Sequence, residues 1–315
     1  MNPKPVALPR PPHVEAAAIM MFRTSAEPEK PLQDMLRRRE VLSLELGRLD
    51  AEIERYAYES LCGVDDTQDV ELYDGTLGVT REFVDRYEPP IGQLQWLDDL
   101  HQRFNGSNES PGNVTGVRWG SGGLFTNDMF ITAGHCFDQY GGGWQRPSRN
   151  GITVESAEIA TLMRVNFNFQ INGQTKQERL GESFPVEALL EYRSGGLDFA
   201  IVRLGRNASG KLPGEIYGTF QFAEQDVTQS GAMLCLIQHP SGRPKKVEAG
   251  SMLHNKAGQI AYNSLDTEGG SSGSPILTTD GRIVGVHTNG GCSYFSGFNY
   301  GVTIGAIRAA SSVIS

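Results

Sequence analysis

Two patterns of apolar and polar positions divide the chain. From Pro31 to about Leu61, apolar Leu42, Leu46, Leu49, Ile53 and Tyr56 recur at spacings of three and four. Those spacings share one helix face, so the pattern predicts an amphipathic helix over 29–62. The mean spacing matches a coiled-coil seam for about three heptads, and both a dimerising coiled coil and a helix lying on a larger body fit it. Gly47 costs about 1 kcal/mol against Ala, so packing must hold that helix together. From Ile91 onward the signal changes to short β-rich runs bounded by Gly, Asn or Pro. These are Gln93–Trp96, Val114–Trp119, Met129–Thr132, Ile159–Val165, Phe199–Val202, Met233–Ile237, Gln259–Tyr262, Ile283–Val286 and Tyr300–Ile304. Short strands without intervening helices predict an all-β sandwich or barrels.

The remaining stretches read as connections. Residues 1–28 are Pro-rich and aperiodic, a flexible tail. Residues 63–90 carry eight acids against Arg81 and Arg86, a balance of −6, and read as an acidic linker before a domain at 91–315. The net charge of −9 argues against nucleic acid or an anionic membrane as partner. No stretch approaches the ~20 apolar residues of a membrane span, and the N-terminus lacks the basic-then-apolar layout of a signal peptide. With no paired His and no Cys-x-x-Cys, neither a metal nor a cofactor is expected.

The chemistry gathers at Asp266-Thr-Glu-Gly-Gly-Ser-Ser-Gly-Ser-Pro275. A glycine-rich turn lets backbone N–H groups converge on one point, where a serine would be a nucleophile with Gly270 and Ser272 N–H as oxyanion donors. The same composition also describes a flexible loop. A serine needs a base and a group that orients the base. Phe130-Ile-Thr-Ala-Gly-His-Cys136 runs a short strand into His135, and Leu197-Asp-Phe-Ala-Ile-Val202 sets Asp198 at the mouth of another.

These blocks resemble a known family. Thr132-Ala-Gly-His-Cys is similar to the T-A-A-H-C of trypsin-like peptidases, Leu197–Val202 to their D-[IL]-A-[IL]-[VL], and Gly270-Ser-Ser-Gly-Ser-Pro to their G-D-S-G-G-P. The bacterial glutamyl endopeptidases are the nearest subgroup, through G-x-S-G-S-P followed by a G-[IV]-H strand, here Gly285-Val-His287. The resemblance covers about residues 90–315. It implies two six-stranded β-barrels of the chymotrypsin-like kind and a closing helix at Ile307–Ile314, to which the helix read from the apolar spacing adds an N-terminal helical extension. It implies a serine endopeptidase with the triad His135, Asp198 and Ser272, acting on protein or peptide substrates. The alternative is a silent peptide-binding scaffold that engages partners through its helical N-terminus.

For substrate binding the resemblance points to Thr267 and His287, which suit Glu or Asp at P1, and to the strand Thr288-Asn289-Gly290. Asp266 lies in the register of the aspartate that selects Arg or Lys in trypsin. Beside a histidine it would instead pair with His287 and raise its pKa. Ser271 replaces the aspartate of trypsin's activation switch, so residues 1–90 are expected to regulate the enzyme or dock it without building its core. Residues 30–61 offer a surface for a regulatory protein or for self-association. Ser121 and Glu268 stand where secreted relatives carry cysteines, so two familiar disulfides cannot form. That loss fits a reducing, cytoplasmic setting.

Overall fold

The computed structural model describes residues 61–314 apart from Gly142 and 293–295, together with Asp34, Met35 and Arg38. The expectations for the tail 1–28, and nearly all of those for 29–62, lie outside the described residues.

Twelve antiparallel strands form two barrels. The first uses β1 (Ile91–Trp96), β2 (Arg118–Leu124), β3 (Met129–Thr132), β4 (Met163–Phe167), β5 (Glu182–Arg193) and β6 (Phe199–Leu204). It closes in the order β5-β6-β3-β2-β1-β4. The second uses β7 (Met233–Gln238), β8 (Lys246–Lys256), β9 (Gln259–Tyr262), β10 (Pro275–Thr278), β11 (Ile283–Asn289) and β12 (Asn299–Thr303). Its order is β8-β7-β10-β11-β12-β9, closed by β8 pairing with β9. Each barrel buries its own apolar interior, Leu94, Phe130, Val165 and Val202 in the first and Leu236, Val247, Ile276 and Val286 in the second. Burial of such side chains contributes about 1.5–3 kcal/mol each, enough to specify which strand face points inward.

Four expectations change. Val114–Trp119 was too early for a strand, because β2 begins at Arg118 and runs through Gly120, Gly122 and Gly123. A Cβ at Gly122 would lie 2.4 Å from Ile131 O and from the Phe130 ring, so the glycines let the strands pack closely. Ile159–Val165 splits into a helix, Ser156–Thr161, and β4. The last helix is Ile304–Ala310; it stops at Ser311, whose Oγ accepts from the Val313 and Ile314 amides instead.

The fourth change is the largest. Residues 63–90 are no linker: Gln68–Asp69 adds a strand to β8, and a helix follows at Arg81–Tyr87. Val70, Tyr73, Val79 and Phe83 belong to the buried core of the second barrel. The acids hid this because they occupy the outward positions: Asp74, Glu82 and Asp85 are exposed, and Asp85 pairs with Arg81 at 3.1 Å. The expectation that residues 1–90 do not build the core fails for this part.

Candidate active site

Strand register brings the first two residues together. β6 pairs with β3 as Ala200 with Thr132, so Asp198, two residues back, comes opposite Gly134. His135 Nδ1 lies 2.6 Å from Asp198 Oδ2, and the His135 amide donates to Asp198 Oδ1 at 2.9 Å. Burial opposes the Asp198 charge, but the His135 charge and the amides of His135 and Gly134 outweigh it and hold the carboxyl below its usual range. Where the resemblance has alanine, this chain has Gly134. A Cβ there would fall 1.8 Å from Arg193 O.

Ser272 belongs to the second barrel, and its turn is seated on the first. The Ser121 amide donates to Ser272 O at 2.9 Å, and Ser121 Oγ donates to Gly270 O at 2.7 Å. Gly273, at φ 91°, sits where a Cβ would be 2.1 Å from Thr132 Oγ1 and 2.2 Å from Ser121 O. The serine turn is thus packed against the same Thr132–Ala133 segment that leads into His135. Its other edge is fixed by Gly273 N–H to His287 O at 2.7 Å and His287 N–H to Ser274 O at 2.9 Å. Among the described residues, neither the Gly270 nor the Ser272 amide donates a hydrogen bond within the protein. Gly270 has φ 95°, and a Cβ there would meet His239 O at 2.8 Å.

The residues expected to read the substrate are arranged differently from the expectation. Asp266 does not pair with His287. It is 2% exposed, and its Oδ1 accepts from the Cys62 amide at 2.5 Å. Burial and the charges of Asp66 and Asp65 push its pKa up, although the Cys62 and Asp66 amides oppose this. His287 instead meets the Tyr262 hydroxyl, at 2.5 Å from Nδ1. Complete burial, then the nearby His135 charge, lower its pKa to about 3. The ring is neutral, not the expected cation. Thr267 and Thr288 are buried with no partner for either Oγ1 among the described residues. Asn289 ends β11 opposite Tyr300, and Gly290 follows it, buried.

Sequence reasoning missed Ser121, Tyr262 and Cys62. Ser121 is the hydroxyl that links the two barrels where a relative's cysteine would be, donating to Gly270 O and accepting from the His239 amide. Cys62 is joined to Cys292 across 230 residues. Nothing in the spacing of the four cysteines marks that pair, which is distinct from the two bridges that Ser121 and Glu268 rule out. Cys136 and Cys235 are buried free thiols, with burial raising the pKa of each. Lys245 is fully buried and paired with Glu88 at 2.7 Å.

Residues 114–286 match the family model described as a trypsin-like peptidase domain. The chain belongs to that family. The matched span contains His135, Asp198 and Ser272, and the peptidase fold is the pair of barrels described above. Among curated proteins, the peptidase is 34% identical over 249 residues to "Secreted RxLR effector protein 73" of Plasmopara viticola, across 74% of this chain and 52% of that one. It is 28% identical over 117 residues to a glutamyl endopeptidase of Staphylococcus aureus, across 36% of this chain and 32% of the other. The chain thus spans about half and about a third of these relatives' lengths. A solved serine endoprotease from Yersinia pestis superposes with a TM-score of 0.46 at 13% identity, over 72% of this chain and 63% of that one.

Proposed function

We propose that the peptidase is a serine endopeptidase that cleaves after Glu or Asp. The observation that carries the catalytic part is the seating of the Ser272 turn on the segment that presents the His135–Asp198 pair. Ser272 Oγ attacks the scissile carbonyl carbon while His135 Nε2 takes its proton. Asp198 accepts from Nδ1–H and fixes the tautomer. The oxyanion is received by the Gly270 and Ser272 amides, each worth roughly 3 kcal/mol in the transition state by analogy with measured donors. The amine leaves with the proton from His135, and water repeats the sequence on the acyl-enzyme. The Thr288–Gly290 edge holds the substrate backbone as an added strand.

Acidic P1 is favoured by the donors. In this reading Tyr262 is the donor to Nδ1, which leaves the neutral His287 ring its proton on Nε2 and makes it a hydrogen-bond donor without being a cation. The Thr267 hydroxyl is a further unused donor. Basic P1 is disfavoured because Asp266 already accepts from Cys62 and its charge is opposed by burial. A fluorophosphonate probe tests the catalytic part: it should label the wild-type chain at Ser272 and leave Ser272→Ala unlabelled. Labelling of both alike, or of neither, would refute the assignment.

A further inference from the structure

The turn His239–Arg243 leaves the end of β7 and lies against the Glu268–Gly270 loop. A Cβ on Gly270 would fall 2.8 Å from His239 O and 2.9 Å from Gly242 N. Two carbonyls of the loop are tied from this side. The Ser241 amide donates to Gly269 O at 2.5 Å. The Gly270 carbonyl accepts from Ser121 Oγ at 2.7 Å, and the same Oγ accepts from the His239 amide at 2.9 Å. The Glu268 carboxylate completes the contact, accepting from Ser241 Oγ at 2.5 Å and from the Arg243 guanidinium.

One of these bonds fixes a direction. Gly269 O and the Gly270 N–H belong to one trans peptide and point to opposite sides of it. Holding the oxygen on the Ser241 amide therefore aims the Gly270 N–H away from the turn. A half-rotation of that peptide would exchange the two and put a carbonyl oxygen where an oxyanion needs a donor. Side chains ordinarily oppose such a rotation, but both residues flanking this peptide are glycine. Gly270 would move from φ 95° to the ordinary negative range, at little cost to a residue without a Cβ. The orientation therefore has to be held from outside the loop. The turn is equipped to do so, because it is anchored itself. Gln93 Nε2, on β1, donates to Gly242 O at 2.9 Å. The His239 ring is fully buried, stacks on Phe169 at 5.8 Å and has Nδ1 at 3.1 Å from Arg243 O.

We propose that Ser241 is a positioning residue of the peptidase, whose backbone amide holds the Gly269–Gly270 peptide in the orientation that presents the Gly270 N–H to the oxyanion. This rests on the reading of Ser272 as nucleophile and Gly270 as oxyanion donor. Ser241 has φ 50° and ψ 30°, left-handed backbone that is uncommon for serine. Such a conformation persists where the surroundings over-determine it, here through the bonds to Gly269 and Glu268. The Gly270 donor acts on charge that develops only in the transition state. Disturbing its orientation should therefore lower kcat and leave KM nearly unchanged.

The test compares two variants of the full chain. Ser241→Pro removes the amide hydrogen and cannot adopt φ 50°, whereas Ser241→Gly keeps the amide and accepts that φ. On a peptide with Glu at P1, Ser241→Pro should lose about 10²–10³ in kcat, the cost of one oxyanion donor, with KM within about threefold of the wild type. Ser241→Gly should recover most of that loss. In the acyl-enzyme formed from an activated ester, the infrared band of the acyl carbonyl should lie higher in Ser241→Pro than in the wild type, because its oxygen has lost a donor. The band is read only from acylated molecules, so partial unfolding of the variant cannot imitate the shift. A wild type that forms no acyl-enzyme at Ser272 would defeat the underlying reading, and this inference with it. If the wild type acylates, an unchanged kcat or an unmoved carbonyl band in Ser241→Pro would overturn the inference alone. So would an equal loss in Ser241→Gly, or a raised KM at unchanged kcat, which would assign the turn to substrate binding.

Discussion

The Cys62 amide donates to Asp266 Oδ1 at 2.5 Å, so the chain itself satisfies the carboxylate that lies six residues before Ser272. An aspartate in that register would bind a basic substrate side chain if it faced the pocket. Here it is buried and held by a segment that enters from the other end of the sequence.

The first prediction follows for specificity. Peptides with Glu at P1 should be cleaved with at least tenfold higher kcat/KM than peptides with Arg, equivalent to about 1.4 kcal/mol. Tyr262→Phe, which removes the hydroxyl from His287 Nδ1, should reduce turnover of the Glu peptide more than that of an Ala peptide. Asp266→Ser should not create or abolish a preference for Arg. Rapid cleavage after Arg that disappears in Asp266→Ser would reverse the assignment.

A second prediction concerns the segment that looked like a linker. A fragment of residues 88–315 lacks Val70, Tyr73, Val79 and Phe83, which pack in the second barrel. It should be insoluble or lack a cooperative melt. In the full chain, Phe83→Ala should lower stability by about 3–5 kcal/mol, the usual cost of removing a buried aromatic ring. Denaturant unfolding measures both.

The third prediction is the acid limb of stability. Burial lowers the pKa of His287 to about 3, and burial with the Lys245 charge puts His239 well below its usual value. The unfolded chain binds these protons near pH 6.5 and the folded chain does not. Stability from the His287 ring is therefore complete above about pH 6.5 and is lost as pH falls from there toward 3, at about 1.4 kcal/mol per pH unit, and His239 adds a loss in the same direction. His287→Gln should make this limb shallower. A limb of unchanged slope in that variant would show that His287 is not held neutral.

Much of this was legible because the chemistry is local in sequence. The His135 and Ser272 turns each lie within one short block, and Asp198 heads an apolar strand, so the blocks and their order reveal the fold. What was not legible depends on contacts across the chain. β5 escaped notice because Pro185 argues against a strand and its glutamates conceal the inward Phe184 and Val186. The 63–90 segment has few apolar residues, yet they are the ones that reach the core. Asp266 could be placed in register with a specificity residue, but its partner lies 204 residues away. The same holds for His287, whose neutrality comes from burial and Tyr262 rather than from any neighbour in sequence.

A fourth prediction isolates the seating of the serine turn. Gly273→Ala introduces a Cβ about where Thr132 Oγ1 and Ser121 O already stand, at a φ that disfavours a side chain. It should lower kcat by at least about a hundredfold, because a displacement of about 1 Å suffices for that loss. The variant should still bind a peptide inhibitor through the Thr288–Gly290 edge. Full activity in Gly273→Ala would mean that the turn is not held as described.

The central claim is that Ser272 is the nucleophile served by His135 and Asp198. Its most direct measurement is single-turnover hydrolysis of an activated ester of an acidic peptide, with the acyl group traced by mass spectrometry. The wild type should show a burst and a mass increment on the peptide containing Ser272. Ser272→Ala should show neither, with its rate reduced by about 10⁴–10⁶, and Ser271→Ala should retain both. An acyl group found on another residue, or an unchanged burst in Ser272→Ala, would contradict the account.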